Sequence, residues 1–576
     1  MSSVNTISSQ YYSLNLGTIE IKQSRQSFYR YWNRLHRFQK TLVLIALFLS
    51  VLYVLSHIEF HHKQLKNIPS NHEHQPLAKD KNWQPIPDRF LDVKDNRRPY
   101  SVFKVSMNGP TNERQQKVVE AFLHAWKSYK EHAWGEDELK PISKKFSSWF
   151  NLGLTIVDSL DTMYIMNLQD QFTEARDWIE KKLNFDVDRY NNLFELTIRI
   201  LGGLLSAYHL SAETVFLEKA YEFGNRSLPA FDTKSSIPYS DLNLMRQKAK
   251  SPSWTSDSSL SEVSTLSIEY NDLTYLTGDK RFEAVINRIS QTLHRLNKPD
   301  GLAPIFIDTN QGQFRGRTIT LGARGDSYYE YLLKQWIQKG AKYDKSDEHF
   351  YLIQDWLESV RGIRQKLVKK TKPSGYMFVG ELLSETFSPK MDHLVCFLPG
   401  NLALGYSYLR KIPDFPKDDL KDLMNMAQEL TETCYQMYAQ FPTGLSPEIV
   451  YFNTHEDSTK DFFVKDNDRH NLLRPETVES LYYMKKITKD KKYEEYGWKI
   501  FEAFEKYTKV ENGGYSSIND VTSPERVNFR DKMESFFLAE TLKYLYLLFE
   551  DEKSENLDLK HWLINTEAHL IPIPNT

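Results

Sequence analysis

Glu195 and Arg199 stand four residues apart in NLFELTIRILGGLLSAYHLS (192–211), so on a helix the carboxylate and guanidinium share one face. Glu262 in SEVST and Glu476 in LRPETVES lie in comparable places, each near the start of a helical pattern. Carboxyls gathered at one mouth, with Arg199, Arg324 and Arg474 to tune them and hold hydroxyls, are equipment for glycoside hydrolysis. One carboxylic acid protonates the leaving oxygen, and another carboxylate attacks the anomeric carbon or activates water. The plainer reading is that Glu195–Arg199 is a structural ion pair and that the other acids serve helix dipoles. Other chemistries lack their residues: there is no G-x-S-x-G, H-E-x-x-H, phosphate-binding glycine loop or dinucleotide fingerprint.

The elements that position these groups read as helices. Leu193, Leu196, Ile200, Leu204 and Tyr208 form an apolar stripe that predicts a helix with one buried face. Gly202 and Gly203 interrupt it at about 1 kcal/mol each, which predicts a neighbour packed very close to the backbone. Further helical patterns cover 115–131, 152–168, 261–276, 281–296, 327–338, 352–368, 401–410, 421–440, 475–486, 493–507 and 531–549. Strand-like stretches are short, as at 301–307 and 444–452, so the class is all-α with small β-elements in the connecting loops. Segments 208–224, 275–289 and 486–500 each read as a helix end, a tight polar turn and a second helix opening with an aromatic. Helical hairpins repeated around a circle make a double ring, and they set Glu195, Glu262 and Glu476 at one mouth.

A net charge of −2 with 26% charged residues gives no basic patch for nucleic acid. Aromatic residues make up 13%, which suits a large core or a carbohydrate cleft. Two cysteines, Cys396 and Cys434, exclude a disulfide-dense scaffold and leave room for one bridge in an oxidising compartment. Residues 41–58, TLVLIALFLSVLYVLSHI, are apolar for about 27 Å of helix, enough to span a bilayer. Basic residues from Lys22 to Lys40 precede the span, so the N-terminus (1–40) is expected in the cytosol and the rest in the lumen. A polar stem follows (59–107), then one large domain (108–576). Asn225 opens a glycosylation sequon.

The blocks FELTIRILGGLLSAYHLS (194–211), LGARGDSYYEYLLKQW (321–336), KMDHLVCFLPGNLALG (390–405), TGLSPEIVYFN (443–453), RHNLLRPETVESLYYM (469–484), RDKMESFFLAETLKYLYLLF (530–549) and NTEAH (565–569) resemble the class I α1,2-mannosidases, glycoside hydrolase family 47. The resemblance runs over 108–572. It implies an (α/α)7 barrel that removes terminal α1,2-linked mannose from high-mannose N-glycans with inversion, in a Ca²⁺-dependent manner. It places Glu195 as the general acid, acting through a water, and Asp326, Glu448 and Glu476 as the base or its support. Arg199, Glu262, Arg324, His393, Arg474 and Glu540 would line the sugar and calcium sites. Thr566 would be the one direct protein ligand of the ion, with carboxylates holding its waters. Cys396 and Cys434 match the family's disulfide.

Arg324 in the GxRxDSYYEY block matches members that take one mannose from the middle branch, so the resemblance implies Man9 to Man8 isomer B. A guanidinium fork can bond several hydroxyls of that branch at once. Gly325 stands where some relatives carry alanine. The expected protein is a monomeric catalytic domain on a single-pass anchor in the endoplasmic reticulum membrane, with the early Golgi as the other location. Its partners are high-mannose glycoproteins and the membrane. The competing reading is a mannosidase-like lectin that recognises misfolded glycoproteins.

Overall fold

The structure is a computed structural model that describes residues 104–252, 255–551 and 557–574. The expected cytosolic tail, membrane span and nearly all of the stem lie outside the described residues. Among these, the helix Leu193–Ser211 is long and apolar enough to cross a membrane, but it is 83% buried inside the fold.

Seven helical segments form an inner ring: 154–165, Leu193–Ser211, 260–277, Asp326–Gln338, Leu398–Leu409, Glu476–Thr488 and 537–548. Each packs on the next, and the last returns to the first. Their burial sets them apart. Every residue of Gly202–Ser211 and of 327–338 is buried, because an inner helix has neighbours on both flanks, the outer ring behind it and the barrel interior in front. The single buried face expected for 193–211 is therefore corrected to burial nearly all round.

Outer helices are amphipathic. Lys280–Arg295 buries Phe282, Val285, Ile286, Ile289 and Leu293 and leaves its charged face to water. The outer ring also holds Gln169–Lys182, Thr214–Ser227, 350–367, Lys417–Ala439, Lys492–Tyr507 and Glu113–Ala133. The last of these packs on the seventh inner helix and closes the circle. Gln169–Lys182 was not expected, and its buried stripe of Phe172, Ala175 and Ile179 is too thin for a strong 3.6-residue signal.

Connections sort by direction. The three expected turns from inner to outer helix are tight, and each is capped by a left-handed residue: Ala212, Gly278 and Lys489. From outer to inner helix the connection is longer and carries the short antiparallel hairpins and three-stranded sheets. That β-structure therefore sits at the N-terminal end of the inner ring, apart from the hairpin of Trp562–Ile564 with Leu570–Pro572, which follows the last inner helix.

Three expected helices start or break differently. The 152–168 segment breaks at Ser159, and 261–276 breaks where Thr265 and Leu266 leave helical geometry. The 531–549 segment begins late because Asp531 takes a left-handed φ of 56° and its carboxylate accepts from the Ile142 and Ser143 amides. Met533 then bridges to Leu139 as a strand would.

Cys396 and Cys434 are joined, tying the turn before the fifth inner helix to the outer helix Lys417–Ala439. Closing a 38-residue loop stabilises the fold by about 2–4 kcal/mol through the unfolded chain. Cys434→Ala is expected to lower the urea midpoint accordingly, and the native protein should show no thiol labelling. Asn225 sits on an outer helix, donating to the Tyr221 carbonyl at 3.1 Å and accepting from Arg281 at 2.6 Å.

Candidate active site

Glu195 ends the first turn of the second inner helix, where the Asn192 side chain caps its amide at 3.1 Å. The next turn, Leu196–Leu201, is π-helical, and Arg199 lies within it. π-Turns concentrate at functional sites because the extra residue re-aims a side chain. The Arg199 Nε donates to Glu195 at 2.8 Å, while its Nη1 bonds Glu567 and lies 3.6 Å from Asp158. The arginine is thus shared by three carboxylates and is no private partner of Glu195.

A second group sits across the mouth. Glu476 is the first residue of the sixth inner helix and accepts from His393 Nδ1 at 2.8 Å. Arg474 Nε donates to Glu448 at 2.6 Å and its Nη1 lies 3.7 Å from Glu476. The His393 amide also donates to the Glu448 carbonyl, so one loop orients the other. The ring of Phe536 lies 5.8 Å from both the Arg199 and the Arg474 guanidinium, bridging the two groups. Burial would raise Glu476, but His393 and Arg474 outweigh it and hold this carboxyl below its usual range.

Glu262 and Asp326 fill the arc between. Glu262 forms a capping box with Ser259 and accepts from Asn192 at 2.8 Å, which links it to the cap of Glu195. Asp326 opens the fourth inner helix and accepts from Ser261 Oγ at 2.7 Å. Burial, with Glu330 and Glu476 nearby, pushes it up to about 7. Arg324 sits just before it at φ +79°, a left-handed backbone that costs a non-glycine residue about 1–3 kcal/mol. Gly325 is explained by space: a Cβ there would lie 2.1 Å from the Thr320 carbonyl oxygen, so alanine does not fit without a backbone shift.

The floor comes from the C-terminus. A hairpin of Trp562–Ile564 with Leu570–Pro572 enters the ring, and its turn residues Asn565, Glu567 and His569 are buried. It is the close neighbour that Gly202 required. A Cβ at Gly202 would lie 2.7 Å from Asn565 Nδ2, while one at Gly203 would meet the Val157 carbonyl oxygen. At the tip, Thr566 Oγ1 donates to Glu330 at 2.7 Å. Glu540 projects from a second π-turn, Phe537–Thr541, and burial with Glu567 and Glu476 raises it well above its usual range.

Every site residue expected from the sequence therefore lies on an inner-helix start, on the loop before one, on a π-turn or on the hairpin turn. Residues 121–573 match Glycosyl hydrolase family 47.

The chain belongs to glycosyl hydrolase family 47.

It is 54% identical over 465 residues to the human endoplasmic reticulum mannosyl-oligosaccharide 1,2-alpha-mannosidase, covering 80% of this chain and 64% of that protein. The rat protein of the same name is 54% identical over 467 residues, covering 81% of this chain and 69% of the relative. The alpha-1,2-mannosidase from Trichoderma reesei superposes with a TM-score of 0.73 at 26% identity, covering 81% of this chain and all of that one. The double ring is thus the fold of an α-1,2-mannosidase.

Sequence reasoning about this family 47 chain missed Glu330, Lys334, Glu479 and Glu567. Glu330 and Lys334 repeat at four-residue steps from Asp326, and Glu479 lies three after Glu476. Helical spacing places Glu330 and Glu479 one turn deeper and Lys334 two turns deeper on the same faces, so the signal was present once those helices were known to be inner.

Proposed function

We propose that this chain is an exo-α1,2-mannosidase that trims a terminal mannose from high-mannose N-glycans, Man9 to Man8 isomer B, in the endoplasmic reticulum. The observation that carries this reading is the joining of Glu195, Asp326, Glu448 and Glu476 at one mouth of a family 47 ring. Residues 41–58 serve as a membrane anchor that leaves the ring in the lumen, with the early Golgi as the other location. The lectin reading finds no support in a site that keeps every expected acid.

Glu476 is the general base. His393 and Arg474 keep it ionised near neutral pH, so it can take a proton from the attacking water. Glu448 acts through Arg474, which it orients. Glu195, fixed by Arg199 and the Asn192 cap, delivers the proton to the leaving oxygen through a water. Direct attack on the anomeric carbon is not required of any carboxyl, in keeping with inversion. Arg324, on its strained turn, reaches for the middle branch.

A second donor is favoured at Asp326, where burial, with Glu330 and Glu476 nearby, pushes the carboxyl up to about 7. A buried carboxyl that keeps its proton to neutrality can donate it. The alkaline limb of kcat/KM is expected near pH 7, and Asp326→Asn should remove that limb from whatever activity persists. An unchanged limb in that variant would assign it elsewhere.

The residues fit a calcium ion. Thr566 offers a hydroxyl and carbonyl, and Glu330, Glu479, Glu540 and Glu567 are buried carboxylates. Only Lys334 and Arg199 are paired with them among the described ion pairs. Burial and mutual repulsion raise Glu479, Glu540 and Glu567, and a hard dication would hold these oxygens ionised. Thr566 would be the direct protein ligand, and waters held by the carboxylates would complete the shell. When bound, the ion supplies an oxygen-seeking anchor for sugar hydroxyls.

The luminal domain is expected to release one mannose from a purified nine-mannose N-glycan, and chelation with EDTA should stop it. Binding without release would favour the lectin. A direct run to five mannoses at low enzyme would overturn the Arg324 assignment.

A further inference from the structure

A three-stranded antiparallel sheet hangs from the site. Its strands are Lys390–Asp392, Ile449–Phe452 and Phe462–Phe463, and it begins one residue from both His393 and Glu448. Strand alternation gives it two unlike faces. Met391, Val450, Phe452 and Phe462 are buried in the core, where Phe452 stacks on Phe378 at 4.3 Å. The other face carries Lys390, Tyr451 and Phe463 in one cross-strand row. Asp392, on this same face, accepts from the Ala323 amide at 3.4 Å, so the face borders the turn that bears Arg324.

Along the row the aromatic groups are fixed. Phe463 stacks on Tyr451 at 5.5 Å, with an interplanar angle of 21°. The Lys465 ammonium lies 3.7 Å from the Tyr451 ring centre, and the Tyr451 hydroxyl donates to Asp468 at 3.0 Å. Tyr451 is occupied by these neighbours. Phe463 is 47% exposed, which leaves part of its ring open beside the site.

A two-ring stack with Lys465, Asp468 and Lys390 set around Tyr451 is poorly suited to an apolar protein partner, which needs contiguous apolar surface. It suits a pyranose, whose C–H face packs on an aromatic ring while its hydroxyls meet charged groups. We propose that Phe463, braced by Tyr451, is a stacking subsite for a sugar ring of the same oligosaccharide, beyond the mannose that is removed. This rests on the glycan-trimming reading above. The subsite contributes affinity for a branched glycan and nothing for a substrate too short to reach it.

The test compares Phe463→Ala, Phe463→Leu and Phe463→Trp on two substrates, the nine-mannose N-glycan and α1,2-linked mannose disaccharide. For the glycan, KM should rise about three- to tenfold in the Ala and Leu variants, with kcat unchanged, and stay near wild type in Trp. Disaccharide hydrolysis should keep its wild-type kcat/KM in all three. An unchanged glycan KM in Phe463→Ala overturns the subsite, as does a parallel loss on the disaccharide. Calorimetric Kd values for the glycan on Glu195→Gln, with and without Phe463→Ala, read the subsite apart from turnover. Equal Kd values there overturn it, whereas a wild type that cleaves neither substrate overturns the trimming function instead.

Discussion

Glu195→Gln is expected to lower kcat on the nine-mannose glycan by about 10²–10⁴-fold, the usual worth of a positioned acid. The amide keeps the shape of the carboxyl, and its oxygen can still accept from Arg199 Nε at the present 2.8 Å. Arg199 also retains Glu567 and Asp158, so the guanidinium does not swing away. Calcium affinity, measured by titration calorimetry, should therefore be preserved while turnover is lost. Near-normal turnover would return Glu195 to the role of a structural ion-pair partner. A parallel loss of calcium binding would show that the substitution disturbed the floor as well.

His569→Ala is expected to destabilise the domain by about 3–5 kcal/mol, the cost of leaving buried charge without its partner. His569 is fully buried on the hairpin turn, where its Nδ1 lies 3.0 Å from Asp161 and its Nε2 lies 3.2 Å from Asp158. Burial alone would push the imidazole down. The two aspartates outweigh that and hold it charged, with a pKa of about 9. The stability it contributes is fully present below its unfolded pKa of about 6.5 and is lost as pH rises through about 9. Urea midpoints of the wild type should carry this falling component between those values, and the variant should lack it. Identical pH slopes would mean that His569 is neutral in the fold. Since the same turn presents Thr566 and Glu567, calcium affinity should fall in this variant and not in Glu195→Gln.

Glu195 is chemistry set on a helix, whereas His569 is the anchor of a hairpin that enters the ring from the end of the chain. Asp158 connects them: it accepts from Ser535, bonds His569 and lies near Arg199.

Much of this was legible in the residues. The 3.6-residue stripes gave most of the helices, because an outer helix has one apolar face and solvent on the other. Three tight turns could be read from polar residues between patterns, and each proved to need a left-handed cap. The glycine pair at 202–203 announced a close neighbour, since no side chain would otherwise be given up there. The acids at the helix starts and the order of the sequence blocks carried the family.

The path of the second inner helix was not legible, because a helix buried on every side has no polar stripe to reveal which face looks inward. The π-turns at Leu196–Leu201 and Phe537–Thr541, which aim Arg199 and Glu540, leave no compositional mark. Neither did the ionisation of Glu476 and Asp326 follow from their type, since both are acids at the first position of an inner helix. Residues far apart in the chain decide it: His393 and Arg474 hold the first charged, while burial leaves the second near neutrality. Residue types and spacing are enough for the helical class, the chemistry-bearing residues and the family. Which charges meet is set by the closed ring, because a pKa depends on burial and on neighbours that closing the ring and inserting the hairpin bring together.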